Sequence, residues 1–285
     1  MLPFKVTKSW IYRVVMYLAL VPTIVYITLF WVIPIIHIFI ISLTLKDTFI
    51  LGSSVFVGFK NYEEVFSMYV QSIRNSIILP FSAALLDLLL GYPLAYLLVR
   101  KKIPFQNIIR ASLVFPYFGD LYISYGLWNM FLPGGLFDIF YNIFGITYKQ
   151  ILYTHYAVIL GFSIFTLPFM VLYISSSLQE ISPTLEEAAL TLGATPVKMF
   201  FKVILPLTLP GAIAGFLACF GWNLGGYLIP LLLGGLEAGN VITVKIVHLT
   251  LQIHNYGIAA ALAVILTLMT IFTSYLTFKI TKVFK

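Results

Sequence analysis

Apolar positions in this chain gather into long stretches separated by short polar ones. Six of them, 14–43, 70–99, 108–131, 151–177, 206–233 and 254–280, each reach the roughly 20 residues that an α-helix needs to cross a bilayer's hydrocarbon core. The pattern predicts an all-α polytopic membrane protein with six transmembrane helices. No low-complexity tract or internal repeat divides it, so 1–285 reads as a single domain. Lys5, Lys8 and Arg13 precede an apolar run that continues to Leu45, far longer than the roughly 7–15 residues of a signal-peptide core. That run is expected to remain as the first span.

One polar interruption carries its own helix grammar. In segment 181–206, ISPTLEEAALTLGATPVKMFFKVILP, Thr184 and Glu187 have capping-box spacing, and Gly193 can take the left-handed conformation that stops a helix. Thr195-Pro196 then starts a second helix, which Pro206 is expected to end. Leu185, Ala188, Ala189 and Leu192 form one apolar stripe, Val197, Phe200, Phe201 and Ile204 the other. The small stripe lets another surface approach the backbone, and the large one is expected to pack under the protein's own helices. Isolated helices shorter than about 12 residues are marginal in water, so this elbow needs a surface to hold it.

Composition and charge narrow the class. The chain is 61% apolar and 9% charged, against about 25% charged for a soluble domain, which excludes a soluble core. The net charge of +7 is explained by topology, because Lys and Arg are retained on the cytoplasmic side of spans. With the N-terminus inside, the cytoplasmic set is Lys5, Lys8, Arg13, Arg100, Lys101, Lys102, Arg110, Lys198, Lys202, Lys279, Lys282 and Lys285, twelve of seventeen. Lys46, Lys60, Lys149 and Lys245 fall outside, with Arg74 at the outer start of the second span. Both termini and the 181–206 loop are therefore expected in the cytoplasm. No soluble basic domain offers itself to nucleic acid. Cys219 has no second Cys to pair with, and His37, His155, His248 and His254 have no metal-ligand spacing, so no metal site is expected.

Glu187-Ala188-Ala189, then Gly193, Val203, Leu205 and Pro206 at the spacing seen here, resembles the EAA motif of ATP-binding-cassette importer permeases, with Val203 where the family pattern has Ile. The resemblance implies a type I, MetI-like permease fold in which 178–206 is the coupling loop. Glu187 would anchor it in a cleft of a cytoplasmic ATPase dimer, Ala188 and Ala189 would make the close-contact face, and Gly193 the bend. It also implies a second permease subunit, a paralogue or a second copy, and an extracytoplasmic substrate-binding protein, all served from the lipid bilayer of the cell membrane. ATP and Mg would sit on the ATPase, since no Gly-Lys step of a P-loop occurs here and the chain itself is expected to hold no cofactor.

Further segments extend the resemblance. Gly58-Phe59-Lys60-Asn61-Tyr62 looks like the G-x-x-N-Y entry common to such permeases. Gly91-Tyr92-Pro93-Leu94-Ala95-Tyr96, Leu167-Pro168-Phe169-Met170-Val171 and Tyr227-Leu228-Ile229-Pro230 resemble permeases of the spermidine/putrescine type. The third span departs from that type: Asp120 is present in 117–126, and the Arg that usually precedes Tyr-Gly is absent. Sugars are the competing substrate class.

Charges inside spans cost about 2.5–3.5 kcal/mol each at a helix centre by insertion scales, so they face a cavity or a partner. Asp87 and Asp120 each admit two roles, a helix-packing carboxylate that is protonated or hydrogen-bonded to a neighbour, or a cation-attracting wall along the path. Tyr125, Trp128, Trp222 and Tyr227 offer aromatic faces to an ammonium, or anchor the spans at the interface. Trp222-Asn223-Leu224-Gly225-Gly226 interrupts the fifth span as substrate-lining helices of transporters are interrupted. The competing class is an intramembrane aspartyl protease built on the two Asp residues. Tyr117 stands where its Gly-x-Gly-Asp signature needs the first Gly, and neither it nor a passive channel has a use for a coupling loop.

Overall fold

A computed structural model describes residues 8–45, 55–101, 103–147 and 149–283. Lys5, Lys46, Lys102 and Lys285, which entered the charge count, lie outside the described residues.

The chain begins with α1 (Lys8–Ile27), which passes through a π-helical turn (Thr28–Val32) into α2 (Ile33–Ser42). Many of its apolar side chains are exposed, Leu29, Phe30 and Trp31 among them, a surface suited to lipid. Then α3 (Lys60–Met68) leads into α4 (Val70–Arg100), whose 31 residues rise about 46 Å. After it come α5 (Gln106–Ser112), a 3-10 turn (Phe115–Phe118), α6 (Asp120–Phe131) and α7 (Leu136–Ile143). The central helix α8 (His155–Glu180) starts at Thr154, whose hydroxyl accepts from the Ala157 amide at 3.3 Å. An elbow of α9 (Pro183–Thr191) and α10 (Pro196–Met199) returns the chain, through a π-helical turn (Phe200–Ile204), into α11 (Leu205–Leu224). After a break come α12 (Ile242–His248) and α13 (Tyr256–Val283).

Five helices are long and apolar enough to cross a membrane: Tyr17–Ser42, Val70–Arg100, His155–Glu180, Pro196–Leu224 and Tyr256–Ile280. The expected count of six is corrected to five among the described residues. Stretch 108–131 does not form one helix, because Pro116 has no amide to donate and Gly119, at φ +93°, turns the chain into the left-handed region. Beyond that turn α6 has 12 residues and rises about 18 Å, short of the roughly 30 Å hydrocarbon core.

The packing centre is α4 against α8, with α11 laid over both and α13 against α11 and α2. Leu79, Phe162, Ile229 and Leu233 fill one end of the bundle. Tyr92, Met170, Ile174, Leu178 and Ile204 fill the other, beside the elbow. Helices α8 and α11 approach so closely that a Cβ on Gly211 would overlap the Ser177 side chain.

Candidate functional site

Two regions bring the candidate residues together: the elbow and a cavity. At the elbow, Ser182 starts α9, its Oγ accepting from the Thr184 amide at 3.4 Å. The capping box read at Thr184 and Glu187 is corrected: Pro183, suited to the first helical position, puts Thr184 inside the helix and leaves Glu187 exposed on it. The stop falls where expected. Gly193 has φ +85°, its amide bonds to Leu190 O at 3.0 Å and that of Ala194 to Ala189 O at 3.1 Å, the paired bonds of a Schellman motif. Thr195 starts the next helix, accepting from the Lys198 amide at 3.3 Å.

Pro206 does not end that helix. The wider π-helical turn before it accommodates the proline ring, and the helix runs on to Leu224. Of the two stripes, Ala189 is half-buried, while Ala188, Leu185 and Leu192 are exposed. The Phe-rich stripe packs only in part: Phe200 meets the rings of Tyr92 and Tyr96 edge-on at 5.5 and 5.7 Å, and Ile204 is buried, but Val197 and Phe201 stay exposed. Val203 and Leu205 are half-buried and Pro206 exposed.

Sequence reasoning used Arg100 for topology alone and passed over Glu186. In the structure Arg100 Nε donates to Glu186 Oε1 at 2.5 Å, while its Nη2 donates to Leu178 O at 2.9 Å and Ile181 O at 2.8 Å. One guanidinium thus satisfies carbonyls at the end of α8 and grips the first turn of α9. The available signal was a basic residue at the end of a span whose loop partner carries an acid.

The cavity, about 770 Å³, is lined by Asp120, Phe162, Phe165, Phe169, Trp222 and Asn223, with Pro116, Gly119, Gly225, Gly226 and Ile229 completing the lining. Asp120 opens α6, and Trp222 and Asn223 sit in the last turn of α11, which ends because Gly225-Gly226 follow. Gly226 has no room for a side chain: a Cβ there would meet the Phe162 ring at 2.6 Å. Trp222 stacks on Phe169 at 5.6 Å and tilts against Phe165 at 6.2 Å. Phe162, Phe165 and Phe169 were missed, although their i, i+3, i+7 spacing puts them on one face of α8.

Four other candidates lie away from that wall. Tyr125 and Trp128 stack on each other at 5.9 Å and Trp128 packs on the core cluster of Leu79, Phe162, Ile229 and Leu233, while Tyr227 is half-buried beyond the glycine break. Asp87 is fully buried in the bundle, taking the Ser163 hydroxyl at 2.5 Å and the Thr166 hydroxyl at 2.6 Å, so it is a hydrogen-bonded packing carboxylate. Asn223 Nδ2 donates to the same Thr166 hydroxyl at 3.0 Å, joining Asp87 to the cavity wall. Among the described residues no group of three His, Cys, Asp or Glu side chains is placed to hold a metal ion.

The profile of the family described as binding-protein-dependent transport system inner membrane component matches residues 1–282. The chain belongs to this family. It is 34% identical over 193 residues to the spermidine/putrescine transport system permease protein PotB of Haemophilus influenzae, covering 65% of this chain and 68% of that one. To PotB of Escherichia coli it is 33% identical over 208 residues, 71% of this chain and 74% of the other. A bacterial alginate ABC transporter, solved with its pentasaccharide-bound periplasmic protein, contains a chain with the same fold at TM-score 0.77 and 22% identity, covering 98% and 99% of the two chains. This permease is a multi-pass inner-membrane subunit of an ABC importer, one membrane half that couples to an ATPase.

Proposed function

We propose that this permease carries small cationic solutes of the polyamine class, and that 178–206 is the loop through which a cytoplasmic ATPase dimer drives it. The observation that carries the substrate class is the cavity wall. Asp120 supplies negative charge, Phe165, Phe169 and Trp222 supply aromatic faces, and among the described residues no Lys or Arg lines it. An ammonium is attracted to such faces by the ring quadrupole, worth about 0.5–2 kcal/mol per contact and more as water is excluded. The relatives named for spermidine and putrescine transport point the same way.

In this proposal a second permease subunit completes the pathway, a substrate-binding protein delivers solute from outside, and both termini lie in the cytoplasm. Glu187 and Ala188, exposed on α9, meet the ATPase, with Ala189 and Gly193 setting the shape of that surface. ATP-driven closure of the ATPases draws the elbows together and opens the cavity outward, and hydrolysis reverses it. Solute alone cannot drive the cycle, because a ligand shifts two states only by its differential affinity for them.

The test is uptake of labelled spermidine and of a labelled disaccharide into vesicles carrying the full transporter with ATP inside, for wild type and Asp120→Asn. Spermidine uptake weakened by the substitution is the expected result. Disaccharide uptake indifferent to it, with no spermidine uptake, overturns the cationic substrate.

A further inference from the structure

We propose that Asn223 is the hydrogen-bond acceptor that the cavity presents to its solute, with its amide orientation set from behind by Asp87 through Thr166. This rests on the cavity being the solute pathway.

The direction of the hydrogen bonds follows from counting protons. A Thr hydroxyl has one hydrogen to give and two lone pairs to receive with. Thr166 has two acceptors within reach, Asp87 Oδ2 at 2.6 Å and Phe162 O at 2.8 Å, and both lie within the bundle. Its single proton is committed there, and Asp87 Oδ1 already holds the proton of Ser163. Thr166 therefore faces Asn223 with a lone pair, and only the amide NH₂ of Asn223 can meet it. A flipped amide would set carbonyl oxygen against hydroxyl oxygen, or would take the Thr166 proton away from a buried carboxylate. Either is costly in a low-dielectric interior.

The carbonyl end of the amide is left over. Asn223 Oδ1 is buried without a hydrogen-bond partner, and the residue is 2% exposed. Buried polar atoms are nearly always partnered in proteins, so an orphan acceptor lying just behind the surface of a cavity-lining residue marks a place for a donor that reaches it as the wall moves. The arrangement selects by polarity. An amine or ammonium can donate to Oδ1 while its charge is balanced by Asp120, whereas an anion or an acceptor-only group meets an oxygen it cannot bond. Asp87 thus acts as a positioning residue that never touches solute.

The test uses the complete transporter in proteoliposomes with ATP inside, reading the initial rate of labelled spermidine uptake per assembled complex. Asn223→Leu, which has no acceptor, is expected to lower the rate at subsaturating spermidine about tenfold, the effect of one hydrogen bond to a charged group. Thr166→Val frees the amide to rotate and lowers the rate several-fold, and Thr166→Ser, which keeps the hydroxyl, restores it. In the Thr166→Val background, Asn223→Asp presents an acceptor in either orientation and is expected to raise the rate again, which a purely structural role for Thr166 would not produce. Trp222→Ala reports on the cavity itself. A rate kept by Asn223→Leu but lost in Trp222→Ala overturns the acceptor role and leaves the pathway standing. Indifference to both overturns the pathway and the proposal together, and a Thr166→Val defect that Asn223→Asp leaves unrelieved overturns the control of orientation.

Discussion

Arg100 and Glu186 form an ion pair that ties the end of α4 to the first turn of α9, with both side chains nearly nine-tenths buried. The same guanidinium holds two backbone carbonyls at the end of α8, so three helices meet at one side chain. Hydrogen bonds to charged groups contribute about 1.5–3 kcal/mol each, more than a solvent-exposed pair. Arg100→Ala should therefore loosen the seat of α9 and lower solute uptake per ATP hydrolysed. Glu186→Gln removes the charge and keeps the carbonyl bonds, and should show a smaller loss. Equal losses in the two variants, measured as transport stoichiometry in vesicles, would show that the carbonyl bonds carry no weight.

Gly193 sets the bend of the elbow from φ +85°, and a side chain there would touch nothing within 4 Å. Its replacement is thus a test of backbone conformation alone. Gly193→Ala should cost about 1–2 kcal/mol of left-handed strain. Hydrolysis should partly uncouple from uptake while the helices stay inserted, with Gly193→Asn milder because Asn tolerates that region. Glu187→Ala should uncouple without strain. Unchanged uptake in all three variants would refute the coupling role.

Asp87 is a stability prediction as much as a functional one. Asp87→Ala leaves the buried Ser163 hydroxyl without its acceptor and opens a small void, which should lower stability by about 1–4 kcal/mol. Asp87→Asn keeps the volume and one acceptor and should cost less. Thermal unfolding of the detergent-solubilised complex gives the ranking, and a reversed order would argue against the hydrogen-bond assignment.

The contact of α11 with α8 at Gly211 predicts a compensating pair. Gly211→Ala alone should destabilise the protein by about 1–3 kcal/mol through overpacking against Ser177. Adding Ser177→Gly should recover part of that loss. Additive losses in a double-mutant cycle would mean that the two sites do not share the strain.

Local chemistry was the legible part of the sequence. Gly193 and Thr195 act as read, because caps and stops depend on residues within one turn. The span expected over 108–131 and the end assigned to Pro206 were misread for related reasons. Hydropathy does not register the break that Pro116 and Gly119 impose, and a proline signals a stop unless a π-helical turn absorbs it. Asn61 shows a motif with an unread purpose: its Nδ2 donates to Ser42 O and Thr44 O, both at 2.8 Å, fastening the end of α2 to the start of α3. The links that Thr166 makes were invisible, since Asp87 and Asn223 are distant from it in the chain and only the packing of α4, α8 and α11 joins them.

The helix from Pro196 to Leu224 is unbroken, with the elbow at one end and Trp222 and Asn223 at the other. It is a lever arm. At the usual helical rise its 26 steps from Pro196 to Trp222 span about 39 Å, so a tilt of about 10° at the elbow would sweep the indole through ~7 Å. A displacement of that size exceeds the ring-to-ring distances that now form the wall, so a modest rocking of the elbow end is enough to unstack Trp222 from Phe169 and change what the cavity can hold.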